Sequence, residues 1–350
     1  MGSDAESAPS TRRPTLADVA RLAGLSKTAV SLALNNRPGS RLSEDAVARA
    51  RAAAKELDYR PNPAAQSLRT ARTRTIGFIS DEVTITRFAS GMIRGVLSTA
   101  REHDHLVLMA ETAGGLVGVD EAMRTMLDRR VDGVIVGLMA ARLVDVPTPP
   151  HNVPVVIVNG RTPDDLPSVL PDEHAAGRAM ATILVEAGHR SIGIIAELPE
   201  SVGDPRKSVS IGTRFAGIDE VLTSAGIRPI RASADHWHPS IGYRECLAMM
   251  TAHPELTALI AGNDSMAFGI YQALAELGLA VNHDVSVVSF DDEEMASLLR
   301  PGLTTARLPY EEMASRAVEM LLGGRELTHE LVPMPVVRRD SVGEANLTGR

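Results

Sequence analysis

Hydrophobic positions along the chain change their rhythm at about residue 75. From Leu16 to Leu57 they recur every three to four residues in three short runs. The first holds Leu16, Val19, Ala20 and Ala23, and the second holds Val30 and Leu34 with Ala33 beside them. The third holds Ala46, Val47, Ala50, Ala54 and Leu57. Each run places its apolar set on one face of a helix. The polar residues between them supply the ends. Thr15 can cap the first helix with Asp18 closing a capping box, and Gly24 can stop it in a left-handed turn. Ser26 can cap the second helix, and Ser43 the third, with Glu44 and Asp45 in its first turn.

Beyond Thr75 short apolar runs alternate with helical segments. The pattern predicts strands over 75–80, 104–111, 131–138, 153–160, 191–197, 228–232, 256–262 and 285–290. It predicts helices over 88–102, 119–130, 173–187, 212–225, 240–252 and 264–277. Strands of this kind belong to parallel sheets covered on both faces. Two such rounds give an α/β body of two doubly wound lobes. The chain returns near 303–308 and again near 330–336, so three crossings between the lobes are expected, with a hinge and a cleft. The expected organisation is a disordered polar leader over 1–13, a three-helix domain over 14–60 and a hinge helix and linker over 61–75. A two-lobed body follows over 76–340, with a tail over 341–350.

Charge separates the two parts. The 350 residues carry a net charge of −8. Residues 1–74 hold 13 Lys and Arg against 7 Asp and Glu, a net of +6; the rest holds 23 against 37, a net of −14. A basic head on an acidic body points to a polyanion as the partner of the head alone. The single cysteine, Cys246, excludes an internal disulfide framework and reads as core. The first ten residues carry no basic region or apolar run, so a cytoplasmic chain without a membrane span is expected.

The second helix carries Lys27, Thr28 and Ser31 on its exposed side. In a helix-turn-helix the second helix enters the major groove of DNA with its N-terminal residues at the base edges, here Lys27, Thr28 and Ala29. An ordinary three-helix bundle that docks a partner is the other reading. The following segment, "YRPNPAAQSLRTARTRT", contains no acidic residue. Pro61 and Pro63 end the third helix, and Asn62 can cap a new helix too short to persist alone. Arg60, Arg69, Arg72 and Arg74 surround it, and Leu68 would project without a core to receive it. The segment is either an arginine-rich linker or a helix ordered by the minor groove, with Leu68 as a wedge between base pairs and two copies side by side.

The polar residues at strand ends mark the expected cleft, because ligands of such sheets bind beyond the carboxyl ends of strands. They are Asp81 and Glu82, Asn159 and Arg161, Asn263 and Asp264, and Asp291 and Asp292. Arg214 lies in the first turns of its helix, and Trp237 is the sole tryptophan. Carboxylates, an arginine, amides and one flat ring suit a sugar-like polyol. Asn263 and Asp292 can equally cap helices, Trp237 can also be core, and Phe88 reads as core before contact. His189 with Arg190 reads as a turn and salt-bridge feature rather than a catalytic base. His236 and His238 beside Asp235 lack the spacing of a metal site, and no nucleophile elbow or phosphate loop occurs. No catalytic residue, cofactor or metal is therefore assigned.

Residues 15–75, with "DVARLAGLSKTAVS", "YRPN" and "TIG", resemble the head and hinge of the lactose-repressor (LacI/GalR) family of bacterial transcription regulators. The body resembles the family too, in "HAAGRAMATILVEAGHRSIGIIA", "TALIAGNDSMAFGIYQALAELGLAVNHDVSVVSFDD" and "PGLTTARLP". The resemblance implies a helix-turn-helix head, a hinge helix and a periplasmic-binding-protein-like body. It implies a homodimer on a palindromic operator in double-stranded DNA, most simply a repressor, with a small sugar-like effector between the lobes. Lys27, Thr28 and Leu32 match base-reading positions, Asn35 a backbone contact, and Leu68 the leucine that opens the central base step. Thr15, Ser26, Ala29, Ser31, Tyr59, Asn62 and Arg69 complete the DNA-binding set. Arg214, Trp237 and Asp291 match effector positions, to which Asp81, Arg87, Phe88, Asn159 and Asn263 are added. The chain has Ala29 where the family commonly has Thr, Leu32 where Arg or His is frequent, and Asn159 where Asp is common. Thr86, Arg87 and Phe88 replace an Asn-Pro-aromatic run; Arg87 could pair with an anionic effector or face water. The alternatives are a solute-binding protein without a DNA role, or an enzyme.

Overall fold

Three helices pack around small residues at the front of the chain. They are α1 (Leu16–Ala23), α2 (Lys27–Leu34) and α3 (Glu44–Glu56). The computed structural model describes residues 14–34, 42–60, 72–81, 89–112, 118–150 and 153–345. Val19, Ala20, Ala23, Val30, Ala33, Ala50, Ala53 and Ala54 form the core of the head, and short side chains let the three helices approach closely. Ala33 is buried, whereas Leu34, Val47 and Leu57 are half-buried at its margin. The expected caps are present. Thr15 and Asp18 form a capping box. Gly24 sits at φ +63°, and the Leu25 N–H donates to the Ala20 carbonyl at 3.0 Å, which closes α1 with a Schellman turn. The expected leader, the hinge helix and the last five residues lie outside the described residues.

The chain separates after Thr73 into this head and a larger unit. The first lobe of that unit begins with β1 (Thr75–Ser80), α4 (Ala89–Glu102), β2 (Leu106–Glu111) and α5 (Val119–Asp128). It continues through β3 (Val134–Leu143), β4 (Val155–Arg161) and β5 (Ser168–Pro171). The second lobe runs through α6 (Glu173–Glu186), β6 (Ile192–Glu197), α7 (Pro199–Val202) and α8 (Ile211–Ser224). Then come β7 (Ile230–Ser233), α9 (Pro239–Ala252), β8 (Ala258–Ala261) and α10 (Asp264–Glu276). It ends with β9 (Ser286–Asp291), α11 (Glu294–Leu298) and β10 (Thr304–Arg307). The chain then re-enters the first lobe as α12 (Tyr310–Leu322) and β11 (His329–Val332), and returns to the second as β12 (Val336–Val337).

The strand orders are β11-β5-β4-β3-β1-β2 and β12-β10-β9-β8-β6-β7. Every pairing is parallel except β10 with β12. Three crossings join the lobes, as the sequence predicted. Apolar clusters cover both faces of each sheet. The pattern missed β5, the short helices α7 and α11, and α12, and it ended β3 five residues early. The missed α12 fills the first lobe's core with Met313, Ala314, Ala317 and Val318.

Glycines decide how closely the helices approach. A Cβ on Gly177 of α6 would lie 2.1 Å from the Arg214 carbonyl oxygen of α8, and one on Gly217 of α8 would lie 2.2 Å from the His174 carbonyl oxygen. The two backbones therefore touch, which brings Glu173 beside Arg214. His189 is a hydrogen-bonded junction rather than a salt-bridge residue. Its Nδ1 meets Thr257 Oγ1 at 2.9 Å, and its Nε2 meets Ser286 Oγ at 2.9 Å and the Gly343 carbonyl at 3.1 Å. Arg190 donates to the Val185 and His189 carbonyls. Ser341 is buried, and its hydroxyl donates to the Val287 carbonyl at 2.6 Å, so the tail begins as packed chain. Cys246 lies in the core with its thiol pushed up to about 12 by burial.

Candidate DNA-reading helix and effector cleft

The outer face of α2 is set by the inner one. Val30 and Ala33 are buried, which turns Ser26, Lys27 and Thr28 to solvent and leaves Ala29, Ser31 and Leu32 half-exposed. Ser26 Oγ accepts from the Ala29 N–H at 3.1 Å, so it caps α2. Thr15 caps α1, and Tyr59 packs against the core of the head, where burial raises its phenol above the ordinary value. Asn35, Asn62, Leu68 and Arg69 lie outside the described residues.

In the second lobe Arg214 is 3% exposed. Its Nε and Nη2 donate to the Glu173 carboxylate at 2.6 and 2.8 Å, and its Nη1 donates to the Gly262 carbonyl at 2.6 Å. The guanidinium carbon stands 4.1 Å from the Phe290 ring centre and 5.1 Å from that of Trp237. Each guanidinium nitrogen of Arg214 is thus engaged, and two aromatic rings lie against it. Trp237 is half-buried, and its indole N–H donates to the Ala196 carbonyl at 2.9 Å. Asn263 caps α10 by accepting from the Met266 N–H at 2.9 Å, the structural role foreseen for it. Asp292 does not cap a helix; it pairs with Arg307 and Arg339, each at 2.7 Å.

Asp291 differs from its neighbours. Its φ is +105° and that of Asp292 is +53°, a left-handed corner at the carboxyl end of β9. Asp264 secures that corner: its carboxylate accepts from the Glu293 N–H at 2.7 Å and from Thr305 Oγ1 at 2.8 Å. Among the described residues no hydrogen bond reaches the Asp291 carboxylate. Burial drives its carboxyl well above the usual range, and the Arg214 charge opposes the shift. The Asp264 carboxyl is pushed up to about 7, chiefly by burial.

The first lobe supplies the facing wall. Asp81 accepts from the Met139 N–H at 3.0 Å and pairs with Arg142 at 2.7 Å. Asn159, at φ +59°, donates to the Leu138 carbonyl at 2.9 Å. Tyr310 donates to the Met139 carbonyl at 2.9 Å. Burial raises the Tyr310 phenol, and the nearby Asp291, Glu173 and Asp81 charges add to the shift, so this ring lies among charges of both lobes. A cavity of about 830 Å³ follows the crossing segments, lined by Ser90, Arg94, Asp291, Tyr310 and Glu311 among others. Of the expected effector residues only Asp291 lines it among the described ones. Arg87 and Phe88 lie outside the described residues. Sequence reasoning missed Glu173, Tyr310 and Arg142, which carry no local motif. Among the described residues no three His, Cys, Asp or Glu side chains gather to hold a metal.

A helix-turn-helix head followed by two ligand-cleft lobes defines a class, the ligand-responsive DNA-binding transcription regulators. Residues 15–62 match the family described as bacterial regulatory proteins, lacI family, and residues 181–342 match the periplasmic binding protein-like domain. The ribose operon repressor of Escherichia coli K12 is 30% identical over 317 residues, 88% of this chain and 92% of the repressor. The lactose operon repressor of the same organism is 29% identical over 332 residues, 93% and 89% of the two chains. The crystal structure of the lac repressor dimer bound to operator and the anti-inducer ONPF superposes with a TM-score of 0.71 at 27% identity, covering 94% of this chain and 99% of that one. The chain belongs to the LacI family of bacterial transcription regulators. It is a ligand-responsive DNA-binding transcription regulator. Members of the family act in the cytoplasm. Among the described residues no helix is long and apolar enough to cross a membrane.

Proposed function

We propose that this regulator is a repressor whose effector is a small sugar or sugar derivative held between the lobes. Asp291 carries the reading, as the cleft carboxylate that no described protein group hydrogen-bonds while the polar groups around it are engaged. A carboxylate so placed is open to ligand hydroxyls. The Trp237 ring offers an apolar face, and Arg214 fixes the charge behind Asp291. The relatives named for the ribose and lactose operons support a sugar.

On DNA, Lys27, Thr28 and Leu32 face base edges, with Asn35 on the backbone and Ser31 on the same exposed side of the helix. The segment over 61–75 winds on the minor groove when two copies meet, and Leu68 wedges the central step. Effector shifts the lobe equilibrium and with it this segment. A coupling of about 1–3 kcal/mol changes operator affinity roughly 5–150-fold.

The test starts by selecting palindromic fragments from genomic DNA with the purified protein. The selected fragment is then titrated with and without free sugars, on the parent and on Asp291→Asn. The variant should bind DNA like the parent and lose the sugar response. A variant that keeps the response removes Asp291 from the site.

A further inference from the structure

Strand β3 continues past its apolar run. Its pairing with β4 shifts between Gly137, opposite Val158, and Arg142, opposite Gly160. Residues 138–141 therefore stand against Asn159 alone and form a bulge, a device that re-aims the side chains following it. Three cleft residues hold the bulge. Asn159 donates to the Leu138 carbonyl, Asp81 accepts from the Met139 N–H, and Tyr310 donates to the Met139 carbonyl. The next side chain in register is Arg142. Its Nη1 meets Asp81 at 2.7 Å, and the side chain remains 32% exposed.

The backbone on both sides of Arg142 reaches the other lobe. The Val209 N–H donates to the Ala141 carbonyl at 2.8 Å, and the Leu143 N–H donates to the Pro205 carbonyl at 2.8 Å. Arg206 reinforces the seam through Asp145 at 2.8 Å. Parallel strands are usually joined through a helix; the described residues between β3 and β4 form none, and the end of β3 meets the second lobe.

We infer that Arg142 is a specificity-determining residue of the effector cleft, presenting with Asp81 a paired donor and acceptor to adjacent hydroxyls of a neutral polyol. The inference rests on the cleft reading above and deepens it. Charge supports the neutral class. Among the described cleft residues Arg142 is matched by Asp81 and Arg214 by Glu173, so neither offers an unbalanced positive charge to an anionic ligand. Geometry supports the role. A guanidinium has five N–H donors in a rigid fork, so contact with Asp81 leaves donors to offer beside it. The two interlobe hydrogen bonds hold the backbone on either side of Arg142 against the second lobe, while Asp81 holds its side chain.

The test is calorimetric titration of the full-length protein with neutral aldopentoses and aldohexoses and with their phosphate esters. A neutral sugar should bind, and its phosphate ester should bind at least tenfold more weakly. Arg142→Gln should weaken the neutral sugar at least tenfold. Arg142→Lys, which keeps the charge but loses the fork, should fall between parent and Gln variant. Val209→Pro, which deletes one interlobe donor, should speed sugar release. An ester that binds as tightly as its sugar, a panel in which no neutral sugar binds, or parent-like affinity in Arg142→Gln overturns the inference. Asp291→Asn separates the two failures. Binding lost there but kept in Arg142→Gln removes Arg142 alone, whereas binding kept in both removes the cleft reading.

Discussion

Arg214 holds both carboxylate oxygens of Glu173, at 2.6 and 2.8 Å, with the two side chains 3% and 4% exposed. A pair this deep binds its members to each other, because removing either strands a charge away from water. Glu173→Gln should therefore cost about 3–5 kcal/mol of stability. Urea unfolding of the parent and variant reads the difference, and a loss below about 1 kcal/mol would show that the guanidinium finds another anion.

The same pair depends on two helices touching. An alanine at Gly177 would set a methyl 2.1 Å from the Arg214 carbonyl oxygen. α6 and α8 must then separate, at a cost of about 1–3 kcal/mol for overpacking. Gly177→Ala should also weaken effector binding, since the shift moves Arg214 away from Asp291. Parent-like effector affinity and melting temperature in that variant would mean that α8 yields without moving the site.

Two buried groups give stability opposite pH dependences. The folded protein keeps a proton on Asp264 up to about pH 7, whereas the unfolded chain releases it near its ordinary value of 3.8. The contribution of Asp264 therefore falls as pH rises through that window and is level above it. Burial lowers the basicity of His189 below its ordinary 6.5. The unfolded chain then takes up the proton first, and the contribution of His189 is lost as pH falls below 6.5. Asp264→Asn should flatten the first slope in unfolding measurements from pH 4.5 to 8. An unchanged slope would assign it to other carboxylates.

In the head, Ser26→Ala removes the cap of α2 and should cost about 1 kcal/mol. Lys27→Ala leaves the fold intact and should lower operator affinity by about 1–3 kcal/mol if it reads a base. A loss that is uniform across operator sequences, with the salt slope reduced by about one, would instead place Lys27 on phosphate.

Leu68→Ala should weaken operator binding at fixed salt and leave unfolding of the body unchanged. Operator affinity equal to the parent's would remove the wedge.

Much of this architecture was legible in the chain because its signals are local. Thr15 and Asp18 are three residues apart and cap α1; Asn263 and Met266 are three apart and cap α10. Apolar runs beside such caps located ten of the eleven helices and strands described before residue 190 to within about five residues, while β5 escaped notice because four residues carry too little pattern. The helix α12 was missed because its apolar positions follow directly on a strand already assigned to a crossing.

The sequence by itself determined the helix-turn-helix head, the two doubly wound lobes, the three crossings and the positions of Asp291 and Arg214. Only the tertiary structure decided what those residues face. Glu173 meets Arg214 across 41 positions, and Tyr310 meets Met139 across 171. Such meetings depend on how closely two helices can approach at Gly177 and on a register shift in β3. Caps and apolar periods act over a few residues and are written in order along the chain. Helix approach and strand register are settled by the packing of distant segments, so no short window of sequence contains them.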